Sequence, residues 1–184
     1  MMTLYCASMN SPIGKLTCIC DDVSIIRLLW AADNEDEAFK ELSCAWENVQ
    51  ITDANETAAT VCRELQAYFD GHLKQFSVHP AFVSGSVFAR KIWAEVANIP
   101  YGKTISYQKL AENAHLSGAR AAGNAVGRNP IPILVPCHRV LRKNGELGGF
   151  GGGTPIKQQL LRLEGVLFDE IEPQRFVKRC SDTV

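Results

Sequence analysis

The stretch Ile131-Pro132-Ile133-Leu134-Val135-Pro136-Cys137-His138-Arg139-Val140 sets a cysteine beside a histidine at the end of an apolar run cut by two prolines. A thiol becomes a strong nucleophile only as its thiolate, which needs a base or a positive field nearby. His138 and Arg139 follow Cys137 directly and bring both kinds of group. Proline fixes φ and removes a backbone donor, so this segment is expected to be a stiff, irregular connection at the edge of a core. Further on, Glu164 closes a helical pattern just before Gly165, where the helix dipole disfavours a carboxylate. An imidazole partner would compensate. A Cys137–His138–Glu164 relay follows, in which the carboxylate orients the imidazole and the imidazole helps take the thiol proton. For any single cysteine the competing reading is a buried, inert thiol. That reading fits Cys44 and Cys62, which sit in helical patterns, as well as Cys6 and Cys180. Cys18 and Cys20 share one face of a strand pattern, but no zinc-type ligand spacing accompanies them, even with His72 or His79, and no metal is expected.

The elements around these residues fall into two groups, 1–85 and 86–184, with the boundary where the pattern breaks between His79 and Ser86. In the first, Leu4 to Ala7, Leu16 to Cys20 and Ile25 to Trp30 read as the strands of a meander. Helical patterns follow over Asp33 to Trp46 and Thr57 to Phe69, the second stopped by Gly71. In the second group Ser86 caps a helix running to about Asn98, and Ser106 precedes a short helix carrying Tyr107, Leu110 and Ala111. Ser117 then caps a helix from Gly118 to Gly127, so the last two form a helix-turn-helix candidate. Six of the first eight residues of that helix are Gly or Ala, with Arg120 among them. The missing bulk makes room either for another helix or for a nucleic-acid backbone. Asn144-Gly145 marks a tight turn, the glycines from Gly148 to Gly153 surround Phe150 as the flexible wall of a pocket, and Thr154-Pro155 opens the last helix. The class is α/β (α+β).

At 184 residues, with 46% hydrophobic and 21% charged, the chain has the composition of an ordinary globular protein. It contains no apolar run long enough for a membrane span, and its first twenty residues lack the layout of a secretory signal. Seven cysteines without a signal point to a reducing compartment, cytoplasmic, or nuclear in a eukaryote. The net charge of -1 hides a division: five bases against twelve acids up to Gly85 (-7), fourteen against eight beyond it (+6). A polyanionic partner for the second half and chance charge on solvated faces explain that division equally well.

Taken together, Ile105-Ser106-Tyr107-Gln108, Ala119-Arg120-Ala121, Gly127-Arg128-Asn129-Pro130, Pro136-Cys137-His138-Arg139-Val140 and Leu160-Leu161-Arg162-Leu163-Glu164-Gly165 resemble the O6-alkylguanine-DNA alkyltransferase family. The match is dense from about Ser86 to Leu167; before that, Ser11-Pro12-Ile13-Gly14-Lys15-Leu16 and the element order carry it. The resemblance implies a small ribonuclease-H-like amino-terminal scaffold. A mainly helical, winged-helix-like carboxy-terminal domain would bear the helix-turn-helix. It implies that Cys137 accepts the alkyl group of O6-alkylguanine, and of O4-alkylthymine, irreversibly. His138 would act as base through a bridging water, oriented by Glu164. Asn129 would tie together the turns around the thiol, and Tyr107 would donate to the leaving guanine. Arg120 would replace the extruded nucleotide from a helix lying in the minor groove with Ala119, Ala121 and Gly123, next to Ser106. Val135, Val140, Phe150 and Gly151 would wall the base pocket. The partner is double-stranded DNA, bound by a monomer, with no cofactor and no membrane. Where many relatives carry tyrosine and then a small residue such as serine, this chain has Phe150-Gly151, which bears on preference among larger adducts. Two other readings are a lesion-binding sensor and a Cys–His hydrolase. The sensors usually carry tryptophan in place of the acceptor cysteine, and familiar cysteine hydrolases place the histidine far off in sequence.

Overall fold

The computed structural model describes residues 2–46, 49–115 and 118–167, and the side chains of residues 44 and 45 are not among what it describes. The expected cap Ser117, the side chain of Cys44 and all of Cys180 therefore lie outside the described residues. The chain divides into two compact units, Met1–Gly85 and Ser86–Val184.

In the first unit β1 (Met2–Ser11), β2 (Gly14–Cys20) and β3 (Ser24–Trp30) form an antiparallel meander. Two further strands flank it: β4 (Val49–Asp53) runs parallel to β1, and β5 (His79–Pro80) parallel to β3, giving the order β4-β1-β2-β3-β5. Helices α1 (Glu35–Ala45) and α2 (Glu56–Phe69) each begin at an asparagine, Asn34 or Asn55, whose side chain accepts from a backbone N–H of the first turn. Central β2 is covered on both faces, which is why Leu16 to Cys20 is buried throughout instead of alternating. Ile19 clusters with Ala38 and Leu42 of α1, and Thr17 donates to Glu35 at 2.9 Å. On the opposite face Cys18 donates to the Ala58 carbonyl of α2 at 3.7 Å and lies 4.0 Å from the Cys62 sulfur. Hydrogen bonding to Cys20, together with burial, pushes the Cys18 thiol up to about 12, and the bond to Cys18 raises Cys62 as well. These thiols stay protonated and inert. No group of three His, Cys, Asp or Glu among the described residues could hold a metal ion.

The second unit contains α3 (Val87–Ala97), α4 (Tyr107–Asn113), α5 (Ala119–Gly127) and α6 (Thr154–Leu163). Its one sheet among the described residues is a parallel pair, β6 (Ile105–Ser106) with β7 (Val140–Leu141). Ser86 and Ser106 cap α3 and α4 by accepting from Ala89 and Lys109 N–H at 3.2 and 3.1 Å. The small residues of α5 serve two sides. Inside, Ala122, Ala125 and Val126 are buried, and Trp93 of α3 donates its indole N–H to the Ala125 carbonyl at 2.8 Å. Outside, Ala119, Arg120 and Ala121 are exposed. Helices α4 and α5 pack on one another as a helix-turn-helix pair. No helix among the described residues is long and apolar enough to cross a membrane.

Candidate active site

Between Asn129 and Val140 the chain cannot form regular structure, because prolines at 130, 132 and 136 interrupt its donors. Asn129 replaces what is missing. Its amide donates to the Val135 carbonyl at 2.7 Å, and its side-chain oxygen accepts from the Ile131 N–H at 3.1 Å. The brace ends in a 3-10 turn, Cys137–Arg139, with the Cys137 N–H bonded to the Val135 carbonyl at 2.8 Å. Cys137 is 5% exposed. Burial pushes its thiol up; a hydrogen bond from Asn129 and the charge of Lys157 pull the other way.

His138 is completely buried, with Nε2 2.7 Å from Glu164 Oε1. A carboxylate only accepts, so Nε2 carries the proton and Nδ1 is a bare acceptor. Nδ1 is buried and makes no hydrogen bond to any described group. Burial holds the imidazole below its usual pKa against the pull of Glu164, so it is neutral near pH 7 and able to take a proton. Glu164 is itself the meeting point of three segments. Besides His138 it accepts from Arg139 Nε and Nη2, both at 2.9 Å, and from the Gly102 N–H at 3.0 Å. Burial alone would raise this carboxyl, but His138 and Arg139 outweigh it and hold it at about 2. Arg139 also donates to the Ile99 carbonyl at 2.5 Å and lies over the Tyr101 ring, 5.7 Å from its centroid. Arg139 was read from sequence as a positive group for the thiol, but its pairing with Glu164 was not, and Tyr101 and Gly102 were not picked out as site residues. The fork geometry of arginine next to a buried carboxylate is the signal that could have found that pairing.

Gly102 has φ +71, and a Cβ there would lie 2.9 Å from the Glu164 carbonyl oxygen. Gly102→Ala therefore combines left-handed strain with a backbone clash under the carboxylate. It will lower the unfolding free energy by roughly 2 kcal/mol or more in urea denaturation. A loss below about 0.5 kcal/mol would show that the 100–103 turn re-forms freely around the extra methyl.

A cleft of about 680 Å³ opens at Tyr107 and α5, and Cys137, His138 and Glu164 do not line it. One side is helical, with Tyr107, Ala119, Arg120 and Gly123; the other belongs to the 142–151 segment, with Arg142, Lys143, Phe150 and Gly151. The Tyr107 ring packs on Gly123 and Gly148, and its hydroxyl donates to the Gly149 carbonyl at 3.4 Å. Burial raises this phenol, and so does the charge of Cys137. A Cβ on Gly148, whose φ is +67, would come within 3.2 Å of the Tyr107 ring and hydroxyl. Two expected wall residues are corrected: Val135 and Val140 are completely buried and do not line the cleft. The 3-10 turn between them is buried along its whole length, Cys137 included, and Val140 pairs with Ile105. Ala121 is exposed next to the cleft without lining it, and Ser106 acts as the cap of α4.

Fold and site together define a two-unit protein in which Cys137 shares a buried 3-10 turn with His138 and Arg139, both bonded to Glu164, and a cleft opens beside a helix-turn-helix pair. Residues 87–166 match the model of the 6-O-methylguanine DNA methyltransferase DNA binding domain, and residues 4–80 match that of the ribonuclease-like domain of the same proteins. The chain belongs to this family. It is 36% identical over 167 residues to a methylated-DNA–protein-cysteine methyltransferase of Methanosarcina acetivorans, covering 88% of this chain and 99% of the relative. A Haemophilus influenzae protein of the same name is 36% identical over 187 residues, covering 99% and 100%. Among solved structures, the Mycobacterium tuberculosis OGT protein in complex with DNA superposes with a TM-score of 0.74 at 34% identity, covering 88% of this chain and 92% of that one.

Proposed function

We propose that this protein repairs DNA by moving the alkyl group of O6-alkylguanine, and of O4-alkylthymine, onto its own Cys137. The observation that carries the reading is the neutral His138, its Nε2–H fixed on Glu164 and its Nδ1 left as a buried acceptor without a partner among the described residues, on the residue that directly follows Cys137 in the same 3-10 turn. The target carbon is inaccessible inside a duplex, so the nucleotide must swing out at a cost of a few kcal/mol. Exposed Arg120, on the cleft rim of α5, is suited to fill the gap in the stack, and the short side chains Ala119, Ala121 and Gly123 let that helix approach a narrow groove. Arg142 and Lys143 add positive charge on the opposite rim, where phosphates would pass.

The step balances as follows. The thiol proton goes to His138 Nδ1, directly or through one water, and the resulting imidazolium is stabilised by Glu164. The S–C bond forms as the C–O6 bond breaks, and the electron pair of that bond stays on the guanine. Tyr107 hydrogen-bonds the base while charge develops there, and the proton held on His138 passes back through water to a ring nitrogen of the departing guanine, leaving the imidazole neutral. The products are guanine and a thioether. A thioether has no easy route back to a thiol, so each molecule acts once. All of these side chains come from one copy of the chain, so a monomer suffices.

The test is stoichiometry. Wild-type protein incubated with excess methylated duplex will gain the mass of one CH2 group per molecule, and peptide analysis will place it on Cys137. Tight binding without any mass gain would mean a lesion sensor. Continued turnover of an activated ester by unmodified protein, independent of DNA, would mean a hydrolase.

A further inference from the structure

Lys157 is the largest charged side chain with no exposure at all. It lies on the inner stripe of α6 with Leu160 and Leu161, and its ammonium donates to the carbonyls of Val140, at 2.6 Å, and Leu147. The same ammonium sits 5.9 Å from the centroid of the Tyr107 ring. No carboxylate is paired with it among the described residues, an unusual state for a buried ammonium. The relay of Cys137, His138 and Glu164 does not use it.

We propose that Lys157 is a positioning residue of the acceptor: its buried ammonium, pinned by two carbonyls, supplies the positive field that favours the thiolate of Cys137. This inference rests on Cys137 being the nucleophile. It gives the acceptor a positive neighbour that is in place before the proton moves, while His138 is still neutral and the Glu164 charge is met by Arg139. Burial, with a smaller push from Arg142, brings the lysine down to about 8, and Cys137 is the group that favours its charged form. Reciprocally, Lys157 is the charged side chain that pulls the Cys137 thiol down against burial. Of the other titratable or charged groups, Tyr107 also interacts with Cys137, Arg142 acts on both Tyr107 and Lys157, and Lys157, Glu164 and Arg139 act on His138.

The experiment measures the reactivity of Cys137 toward iodoacetamide as a function of pH, by peptide mass spectrometry, in wild type and Lys157→Gln. Glutamine keeps two N–H donors for the Val140 and Leu147 carbonyls and removes the charge. The variant is expected to remain folded while the midpoint for Cys137 moves to higher pH by about one unit, a roughly tenfold loss of thiolate at a given pH. A folded Lys157→Gln with an unmoved midpoint overturns the proposal and leaves the lysine as a tie between α6 and the 140–147 segment. A second measurement covers the case in which that variant does not fold. The ammonium of Lys157 is titrated by nitrogen-15 NMR in wild type and in Cys137→Ser. Coupling between the two sites is mutual, so loss of the thiolate must move the lysine midpoint to lower pH. An unchanged midpoint overturns the proposal equally. Neither measurement uses DNA, so failure of alkyl transfer from a methylated duplex would count against the repair reading and leave this one standing.

Discussion

Cys137→Ala will take no methyl group from a methylated duplex, reducing transfer by more than roughly a thousandfold. It will still bind the duplex, and its stability will stay within about 1.5 kcal/mol of wild type. The reason for the full loss is that none of the other described thiols can substitute. Cys18 and Cys62 sit between β2 and α2, Cys18 raised by hydrogen bonding to Cys20 and burial and Cys62 by its bond to Cys18, and burial raises Cys6 as well. His138 remains in the variant, but with no sulfur there is nothing for it to deprotonate. Intact-mass measurement after incubation with excess lesion decides the point. Residual uptake mapped to another cysteine would remove Cys137 from the centre of the mechanism.

Glu164→Gln will cost about 3–5 kcal/mol of unfolding free energy, because it leaves the Arg139 guanidinium buried without its counter-charge. The amide still accepts from His138 but no longer stabilises an imidazolium, so transfer will slow by roughly a hundredfold or more. The two effects separate by experiment: urea denaturation reads the first, single-turnover transfer at low temperature reads the second. Adding Arg139→Met to Glu164→Gln will return part of the lost stability, since the stranded charge is then gone. A double variant no more stable than Glu164→Gln would refute this electrostatic account. The same carboxyl sets a pH dependence. Its folded pKa, about 2, lies below the ordinary 4.5, so its stabilisation is complete above about 4.5 and fades as pH falls toward 2. That contribution is worth about 3 kcal/mol. Burial depresses His138 as well, so the unfolded chain takes up a proton below the ordinary 6.5 before the folded one does, which destabilises in the same direction. Wild type will therefore lose stability on acidification in both ranges, and Glu164→Gln only in the upper one.

The order of elements was legible from local signals that survive folding. Ser86 and Ser106 cap the helices expected of them, the meander forms over the three β-rich runs, and Glu164 finds the histidine that its place at a helix end calls for. What stayed hidden depends on tertiary direction. Val135 and Val140 flank the thiol in sequence yet point into the core, because a 3-10 turn reverses facing within three residues. Strand β4 was missed since Val49-Gln50-Ile51-Thr52-Asp53 is short and half polar, and gains its place only by pairing with β1. Lys157 was legible in principle. With Leu160, Leu161 and Glu164 it repeats at helical spacing on one stripe, and two charges on an apolar stripe are a pattern that core packing alone does not produce.

The shielding of Cys137 has a consequence for selectivity against stray electrophiles. Pushed toward its protonated form by its dry surroundings and almost closed to solvent, the sulfur is a poor target for small reactive molecules that drift past. A reagent that works a single time is in this way kept idle until the right lesion arrives, and the unfolded chain, with its carboxylate and guanidinium scattered, has nothing to arm it.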